Sequence, residues 1–515
     1  LFRMIIPQFP GFNVYSHVAS KTTAVGPLYV ATAVAQLPGW DVEVIDENNY
    51  RYPGPVDEHG SPDHRLLQAM RPADAVGFYG SLSSTIPRLF VVAAYYQALG
   101  VFTVAGGHHF LDEEECAEGL QHGLDVIVHG EGEYAIQELL PVCHDRAAWS
   151  QLGGLSFLRD GVMTHTPPRP PIADIDALPF PDFALIKYAK LSVIPLSRTR
   201  GCGMDCEFCA IKGAPRWGSP DKLFANMVQL IERHHCRNFF VVDDLFTQDR
   251  AGVRRFCELA IAWQQATGKR LDLSVQIRLD VAKDRDLLRL MRRAGVLMVA
   301  IGYESVLDAA LQAMDKHIRA ADMLALTRVY RDEGFLVHGM FIFGYPMQPG
   351  TRLDVTVKDQ VRAYKQFIRR AHLDTIQVLL PVPLPGTALR RRLMREQRIY
   401  PREIIGWEYY DGNFPLFEPD PPLTADTQQQ AMRAIMGGFY HFSHMMWVGV
   451  RTLTFPLYFI PLFNFRAHWE IWYRPWRNNI RGFGGWLLLR RWTDLLQKRR
   501  FSRLLADARK QLQGH

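Results

Sequence analysis

A chain of 515 residues is too long for one ordinary hydrophobic core, so two or three domains are expected. With 48% hydrophobic and 22% charged residues, no low-complexity tract and no repeat of fixed period, disordered, fibrous and solenoid classes are excluded. The net charge of +6 is small for this length and sits near the carboxyl end, where residues 464–515 carry twelve Lys or Arg against three Asp or Glu. The seven cysteines are odd in number and no secretory apolar segment is evident. A reducing, cytoplasmic setting without a disulfide framework is therefore expected.

Residues 1–145 alternate short apolar runs with helix-length amphipathic stretches. Strands are expected at Arg3–Ile6, Asp41–Ile45, Ala75–Tyr79, Val101–Ala105 and Asp125–Val128, and helices at Gly26–Leu37, Ile86–Leu99 and Glu113–Gln121. The alternation predicts an α/β fold with a doubly wound, Rossmann-like parallel sheet, which binds ligands beyond the carboxyl ends of its strands. The loops there are "GFYGSLSST", "AGGHH" and "HGEGE". They offer Ser81, Ser83, Ser84, Thr85, Gly106, Gly107, His108, Gly130, Glu131 and Gly132. Each loop alone is ordinary turn chemistry, but three in succession point to a bound cofactor. No G-x-G-x-x-G follows the first strand, which counts against a dinucleotide.

In "GPLYVATAVAQLPGWDVEVIDEN", "VAGGHH" and "VIVHGEGE" this segment resembles the cobalamin-binding domain that precedes many radical S-adenosylmethionine (SAM) enzymes. The resemblance implies that the ten loop residues named above contact cobalamin. The D-x-H-x-x-G cobalt-ligand motif is absent; Asp57 and His59 have its first spacing but follow the second strand and lack the glycine. A histidine-ligated cobalt is therefore not expected. Residues 146–190 hold six prolines between Pro167 and Pro181 and read as an extended linker. Its "LPFPD" is similar to the connector of the same family.

A strand at Leu191–Leu196 runs into "TRGCGMDCEFCAIKG", which places Cys202, Cys206 and Cys209 within eight positions. A structural zinc site needs four ligands, and only Cys236 or the His234–His235 pair lies near enough in sequence to complete one. A C-x-x-C redox pair would leave Cys202 unexplained. Iron–sulfur clusters are held by cysteine thiolates, normally four, so three would leave one iron open. The C-x3-C-x2-C spacing resembles the signature of the radical SAM superfamily. That resemblance implies that Cys202, Cys206 and Cys209 hold a 4Fe-4S cluster, that SAM binds the open iron, and that Phe208 lies near the adenine.

Further strands are expected at Asn238–Val242, Asp272–Ile277, Leu297–Ile301, Val337–Phe343 and Thr375–Leu380, each followed by a helix-length stretch such as Arg285–Arg293 or Ala320–Asp332. Six such units over 191–395 predict a partial (β/α)6 barrel with its chemistry at the carboxyl strand ends. Those ends carry Asp243 and Asp244, Gln276 and Arg278, then Gly302, Glu304 and Ser305. The aspartate pair reads equally as a capping or solvated pair. An arginine pointing into a barrel needs an anionic partner. The resemblance covers roughly 1–395 and implies that Gln276, Arg278, Gly302, Glu304 and Ser305 contact SAM.

Residues 396–515 depart from the family pattern and are expected to form a mainly helical, aromatic and basic region. The apolar stretch 441–465 contains Arg451, Pro456 and Pro461, which favours an interfacial or buried segment over a spanning one. Residues 466–492 interleave Trp with Arg, which suits an anionic membrane surface or a lipid-like substrate better than nucleic acid. A helical cap on the barrel is the plain alternative.

The cysteine usage and the basic, aromatic tail lead to the expectation of a cytoplasmic protein, peripheral at the inner face of the membrane, and the resemblance implies an enzyme with a flavodoxin or ferredoxin as electron donor. Family members of this layout include hopanoid C-methylases and the oxygen-independent magnesium-protoporphyrin ester cyclase. SAM would be cleaved to a 5′-deoxyadenosyl radical, and a methyl group would pass through cobalamin to an unactivated carbon of a hydrophobic small molecule. Cyclisation with the same cofactors is an alternative, and so is a non-enzymatic B12 or redox sensor. A methylthiotransferase fits less well, since no second cysteine triad precedes the first.

Overall fold

The computed structural model describes residues 1–13, 15–234, 236–441 and 497–512. Its first sheet contains β1 (Phe2–Ile6), β2 (Val42–Asp46), β3 (Ala75–Tyr79), β4 (Phe102–Gly106) and β5 (Val126–Val128), all parallel. The order is β2-β1-β3-β4-β5, so the switch in strand order lies between β1 and β3. One face packs on helices Val25–Val34 and Gly132–Leu139 through Leu28, Val34 and Ile136. The other packs on Ile86–Ala98 and Glu113–Gln121 through Leu89, Ala93 and Leu120. Strands covered on both faces are apolar at consecutive positions, and β1 and β2 are buried at every residue.

This sheet does not stop at the expected boundary of 145. Two antiparallel strands, β6 (Leu155–Arg159) and β7 (Val162–His165), extend it beyond β5 out of the segment read as a linker. The cause is local: in "LSFLRDGVMTH" Asp160 and Gly161 both take positive φ, 52° and 78°, and close a two-residue hairpin. Only the proline-rich part after His165 is extended connector, broken by short turns at Ile175–Ala177 and Phe183–Leu185.

The second sheet consists of β8 (Ile194–Leu196), then, after a two-stranded ribbon of β9 (Thr199–Arg200) and β10 (Arg216–Trp217), β11 (Asn238–Val241), β12 (Asp272–Ile277), β13 (Val296–Glu304), β14 (Leu336–Ile342) and β15 (Thr375–Leu379). The six main strands are all parallel and run in sequence order from β8 to β15, the partial (β/α)6 barrel. Here burial alternates. Leu273, Val275 and Ile277 are buried with Phe256, Leu287 and Met291 of the outer helices, whereas Asp272, Ser274 and Gln276 keep accessible surface on the opposite, interior face.

The carboxyl-terminal region divides its contacts. Helix Ala425–Phe439 lies on the barrel beside helix Val357–Ala371 and β15. Residues 400–416 instead join the core of the first domain, burying Tyr400, Trp407, Tyr409 and Phe414 with Ile86, Phe90 and Phe110. The helix over 497–512 adds Phe501, Leu505 and Ala508 to that same core. The described part is thus more than a helical cap on the barrel, because its aromatic residues cover the outer helices of the first sheet. The apolar stretch after His441 and the Trp- and Arg-rich stretch 466–492 lie outside the described residues. Among the described residues no helix is long and apolar enough to cross a membrane.

Candidate functional site

The cysteine loop follows β8 and is closed at its base by the β9–β10 ribbon, in which Arg200 pairs with Arg216 and Thr199 with Trp217. Cys202, Cys206 and Cys209 are unbonded to other cysteines and partly accessible. Gly201 takes φ +78°, and a side chain there would meet the Ala214 carbonyl at 2.8 Å, so the loop begins where only glycine fits. Gln248 Nε2 donates to the Cys202 carbonyl at 2.6 Å and Lys212 Nζ to that of Cys206 at 3.0 Å.

Glu207, within the motif, anchors the loop. Its carboxylate takes two bonds from Arg392, at 2.7 and 2.9 Å, and one from the Tyr345 hydroxyl at 2.6 Å. Its amide donates to the Met314 carbonyl and its carbonyl accepts from Leu389. Phe208 meets Tyr345 edge-on at 6.1 Å. Glu207 carried no signal in the sequence, since its partner Arg392 lies 185 positions away and also meets Glu396 one helical turn on.

The Asp243–Asp244 pair divides into two roles. Asp243 is 1% exposed and accepts from the Arg198 and Thr199 amides at 2.7 and 2.9 Å and from Ser197 Oγ, fixing the entry to the loop. Asp244 keeps accessible surface and acts electrostatically on Cys202 and Cys209. Burial pushes its carboxyl up, and so does Asp243. Burial also raises the Cys202 and Cys209 thiols, and Asp244 and the neighbouring thiols add to the shift. Such a donor set ionises onto a cationic occupant, and three thiols on one loop fit an iron–sulfur cluster.

The remaining barrel residues sort by face. Gln276 donates to the Asp244 carbonyl at 3.2 Å. Arg278 finds its anionic partner in Asp280 at 3.0 Å, and its other nitrogen meets Met204 Sδ of the cysteine loop at 3.0 Å. Glu304 sits at a bulge of β13 with φ +58°, paired to Lys316 at 2.8 Å. Its carboxylate folds over Gly302, where a Cβ would meet Oε1 at 2.3 Å. Gly302 is thus a glycine because Glu304 occupies the space of a side chain. Ser305 is fully buried, bonded to the Leu307 amide and the Tyr364 hydroxyl, and takes no part in the accessible face. The sequence placed it with Glu304, but the bulge turns it toward the helices.

The first sheet presents its carboxyl ends to this barrel. Tyr15, in the loop after β1, accepts a hydrogen bond from Gln377 of β15. Tyr79, Tyr15 and His338 of β14 are half-buried and His108 is exposed. Ser81 Oγ accepts from the His108 amide at 3.4 Å. Ser83, Ser84 and Thr85 are buried and spent internally, on His109, Asn13 and the Leu82 carbonyl. Gly107 (φ +132°) lets its loop approach Gly80 and Ser81, where a Cβ would lie 2.6 Å from backbone. The close approach at Gly106–Gly107 is therefore first to neighbouring strands. Gly130 borders open space and Gly132 is partly accessible. Glu131 turns away to the cysteine loop, accepting from Arg200 and Arg216 at 2.9–3.0 Å. Asp57 and His59 lie in an exposed turn remote in sequence from these ends. Ser81, Gly106, Gly107, His108, Gly130 and Gly132 keep accessible surface at these strand ends.

Residues 196–359 match the family described as the Radical SAM superfamily. The chain is 29% identical to the hopanoid C-2 methylase of Rhodopseudomonas palustris (strain TIE-1), over 44% of this chain and 42% of that protein. It is 25% identical to the anaerobic magnesium-protoporphyrin IX monomethyl ester cyclase of Rubrivivax gelatinosus, over 62% of this chain and 57% of that one. The chain thus spans about half the length of these curated relatives. In fold it is similar to the radical SAM methyltransferase TsrM of Kitasatospora setae, whose structure holds cobalamin and a 4Fe-4S cluster. The TM-score is 0.60 at 16% identity, covering 77% of this chain and 78% of that one.

Proposed function

Since residues 196–359 form a radical SAM domain, we propose that this chain is a cobalamin-dependent radical SAM enzyme that methylates an unactivated carbon of a hydrophobic small molecule of lipid, terpenoid or tetrapyrrole type. One observation carries the reading: the three-cysteine loop stands at the carboxyl ends of the barrel strands, tied by Arg200 and Arg216 to the ligand end of the first sheet. The similarity to hopanoid methylase and porphyrin ester cyclase supports an apolar substrate class.

Bound together, a 4Fe-4S cluster and SAM supply a radical able to remove an unactivated hydrogen, and cobalamin supplies a transferable methyl group. Cys202, Cys206 and Cys209 would hold the cluster. Gln276, Arg278, Gly302 and Glu304 would form a polar rim beside it, where Glu304 could hold an amino group and Arg278 a carboxylate. Lys316 neutralises Glu304; burial alone would lower the lysine's affinity for a proton, but the Glu304 carboxylate raises it. Met340, Ile342 and Leu379, interior residues of β14 and β15, give the apolar wall opposite.

A second reading, cyclisation with the same cofactors, draws on the similarity to the cyclase, which covers more of this chain than the similarity to the methylase. Anaerobic reconstitution with iron, sulfide and cobalamin, then incubation with methyl-labelled SAM, a strong reductant and a lipid extract, tests both. Label in an extracted product with 5′-deoxyadenosine supports methylation; 5′-deoxyadenosine with an unlabelled, altered product supports cyclisation. Absence of 5′-deoxyadenosine overturns the enzyme class.

A further inference from the structure

The base of the cysteine loop is a ribbon of only two residues per strand, and short isolated ribbons are marginal in water. Its cross-strand pair is Arg200 opposite Arg216, two like charges at the positions nearest the cysteines. Like charges directly opposite each other on a ribbon destabilise it. The loop therefore has a closure that its own sequence opposes.

The counter-charge comes from the first domain. Glu131 Oε1 accepts from Arg200 Nη1 at 3.0 Å and from Arg216 Nη2 at 2.9 Å, and Oε2 accepts from Arg216 Nη1 at 3.0 Å. Glu133 adds a pair to Arg200, and Tyr29 lies 5.3 Å under the same guanidinium. Oε2 also accepts from the Ile172 amide, whose own carbonyl receives Arg216. All four side chains are mostly shielded, with 4–26% of their surface exposed, so water screens these pairs weakly. Glu131 ends the loop after β5, one of the three ligand-side loops of the first sheet, and Glu133 lies in the first turn of the helix that follows.

We propose that Glu131 is a positioning residue that completes the cysteine loop from the other domain, converting a repelling arginine pair into a closed stem and setting the loop against the ligand end of the first sheet. The reading of the loop as a cluster loop gives this its functional weight, but the clamp is a property of the polypeptide. Closure of the loop then depends on docking of the first domain.

Hydrogen exchange on the full chain without added cofactors tests it. Glu131→Gln keeps the shape and removes the charge, and amides of 199–217 are expected to exchange at least about tenfold faster while β12–β14 keep their protection. In Glu131→Gln/Arg216→Gln the like-charge pair is gone, so protection returns to within about threefold of the unaltered chain. A merely structural role for Glu131 predicts no such rescue. Unchanged exchange in Glu131→Gln, or a double variant as fast as the single one, overturns the proposal. Glu131→Asp, which retains charge but falls one methylene short, is expected to lie between and serves if Glu131→Gln does not fold; full protection in it would count against the geometry.

In reconstituted protein, pulsed magnetic resonance between the reduced cluster and cob(II)alamin should give a broader distance distribution in Glu131→Gln and a narrower one again in the double variant. An equal distribution in all three overturns the positioning role. Failure to load either cofactor would instead overturn the proposed function and leave the exchange result standing.

Discussion

The two sheets bury their residues in opposite ways. In the first, β1 and β2 are covered on both faces and lose every side chain to packing. In the second, β12 and β14 bury alternate residues and leave the others facing an interior with accessible surface. A sheet closed on both faces offers a ligand only its ends, so its candidate residues lie in loops. A barrel wall with one free face offers residues along the strand itself, and Gln276, His338, Met340 and Gln377 lie on that face. Loop residues can be drawn into packing, as Ser83, Ser84 and Thr85 are, whereas a strand residue on the free face stays there by the pleat.

The largest expected effect bears on the barrel's working end. Cys202→Ala, Cys206→Ala or Cys209→Ala should each abolish reductive SAM cleavage while leaving cobalamin binding to the first domain unchanged. Iron content, 5′-deoxyadenosine and cobalamin absorbance measure the two separately. Loss of cobalamin binding in these variants would mean that the two ligand ends are not independent.

Stability tests the difference in burial directly. Phe341→Ala, on the packed face of β14, should cost about 3–5 kcal/mol, and its neighbour Met340→Ala, on the free face, about 1 kcal/mol or less. In the first sheet the neighbours Met4→Ala and Ile5→Ala should each cost about 2–5 kcal/mol. Denaturant midpoints of the four variants check this, and a costly Met340→Ala would show the barrel interior to be packed as well.

A smaller effect is expected from the loop anchor. Glu207→Gln removes the nearer of the two carboxylates that meet Arg392 in a mostly buried site, leaving Glu396 at 3.5 Å, and should destabilise the cysteine loop by about 2 kcal/mol. Faster exchange at 205–209 with little change in the first sheet would be the signature.

The pH dependence of the junction is the mildest. His109 is buried against Trp407, and burial, with Arg390 and Arg402 nearby, lowers its pKa from 6.5 to about 3. Below pH 6.5 the unfolded chain takes up this proton and the folded one does not. The contribution of His109 to stability is therefore full above pH 6.5 and is lost as pH falls toward 3. Glu115 opposes it, since burial raises its carboxyl to about 7, and its ionisation costs stability as pH rises from 4.5 toward 7. Acid unfolding of His109→Phe should show a weaker dependence between pH 6.5 and 3 than the unaltered chain.

Much of this architecture was legible in the residue order. Strands β3 and β12 and helices Glu113–Gln121, Arg285–Arg293 and Ala320–Asp332 lie where the hydrophobic periods put them, because a period is a local property. The β6–β7 hairpin was equally legible in its Asp160–Gly161 turn, but the prolines after it masked the signal. Within the candidate site, the cysteines were marked by type and spacing, and Gln276, Arg278 and Glu304 by their place at strand ends together with the family resemblance. Glu207, Lys316 and Gln248 were not, since each acts through a partner distant in sequence.

What the sequence determined by itself was therefore local: the elements, the three thiols on one loop, and glycines where side chains cannot fit. Which way a residue faces across a bulge or a domain boundary was decided only in three dimensions. Ser305 turned toward the outer helices at the β13 bulge, and Glu131 left its own sheet to hold Arg200 and Arg216. Charges find their partners through space, and no period along the chain encodes that choice.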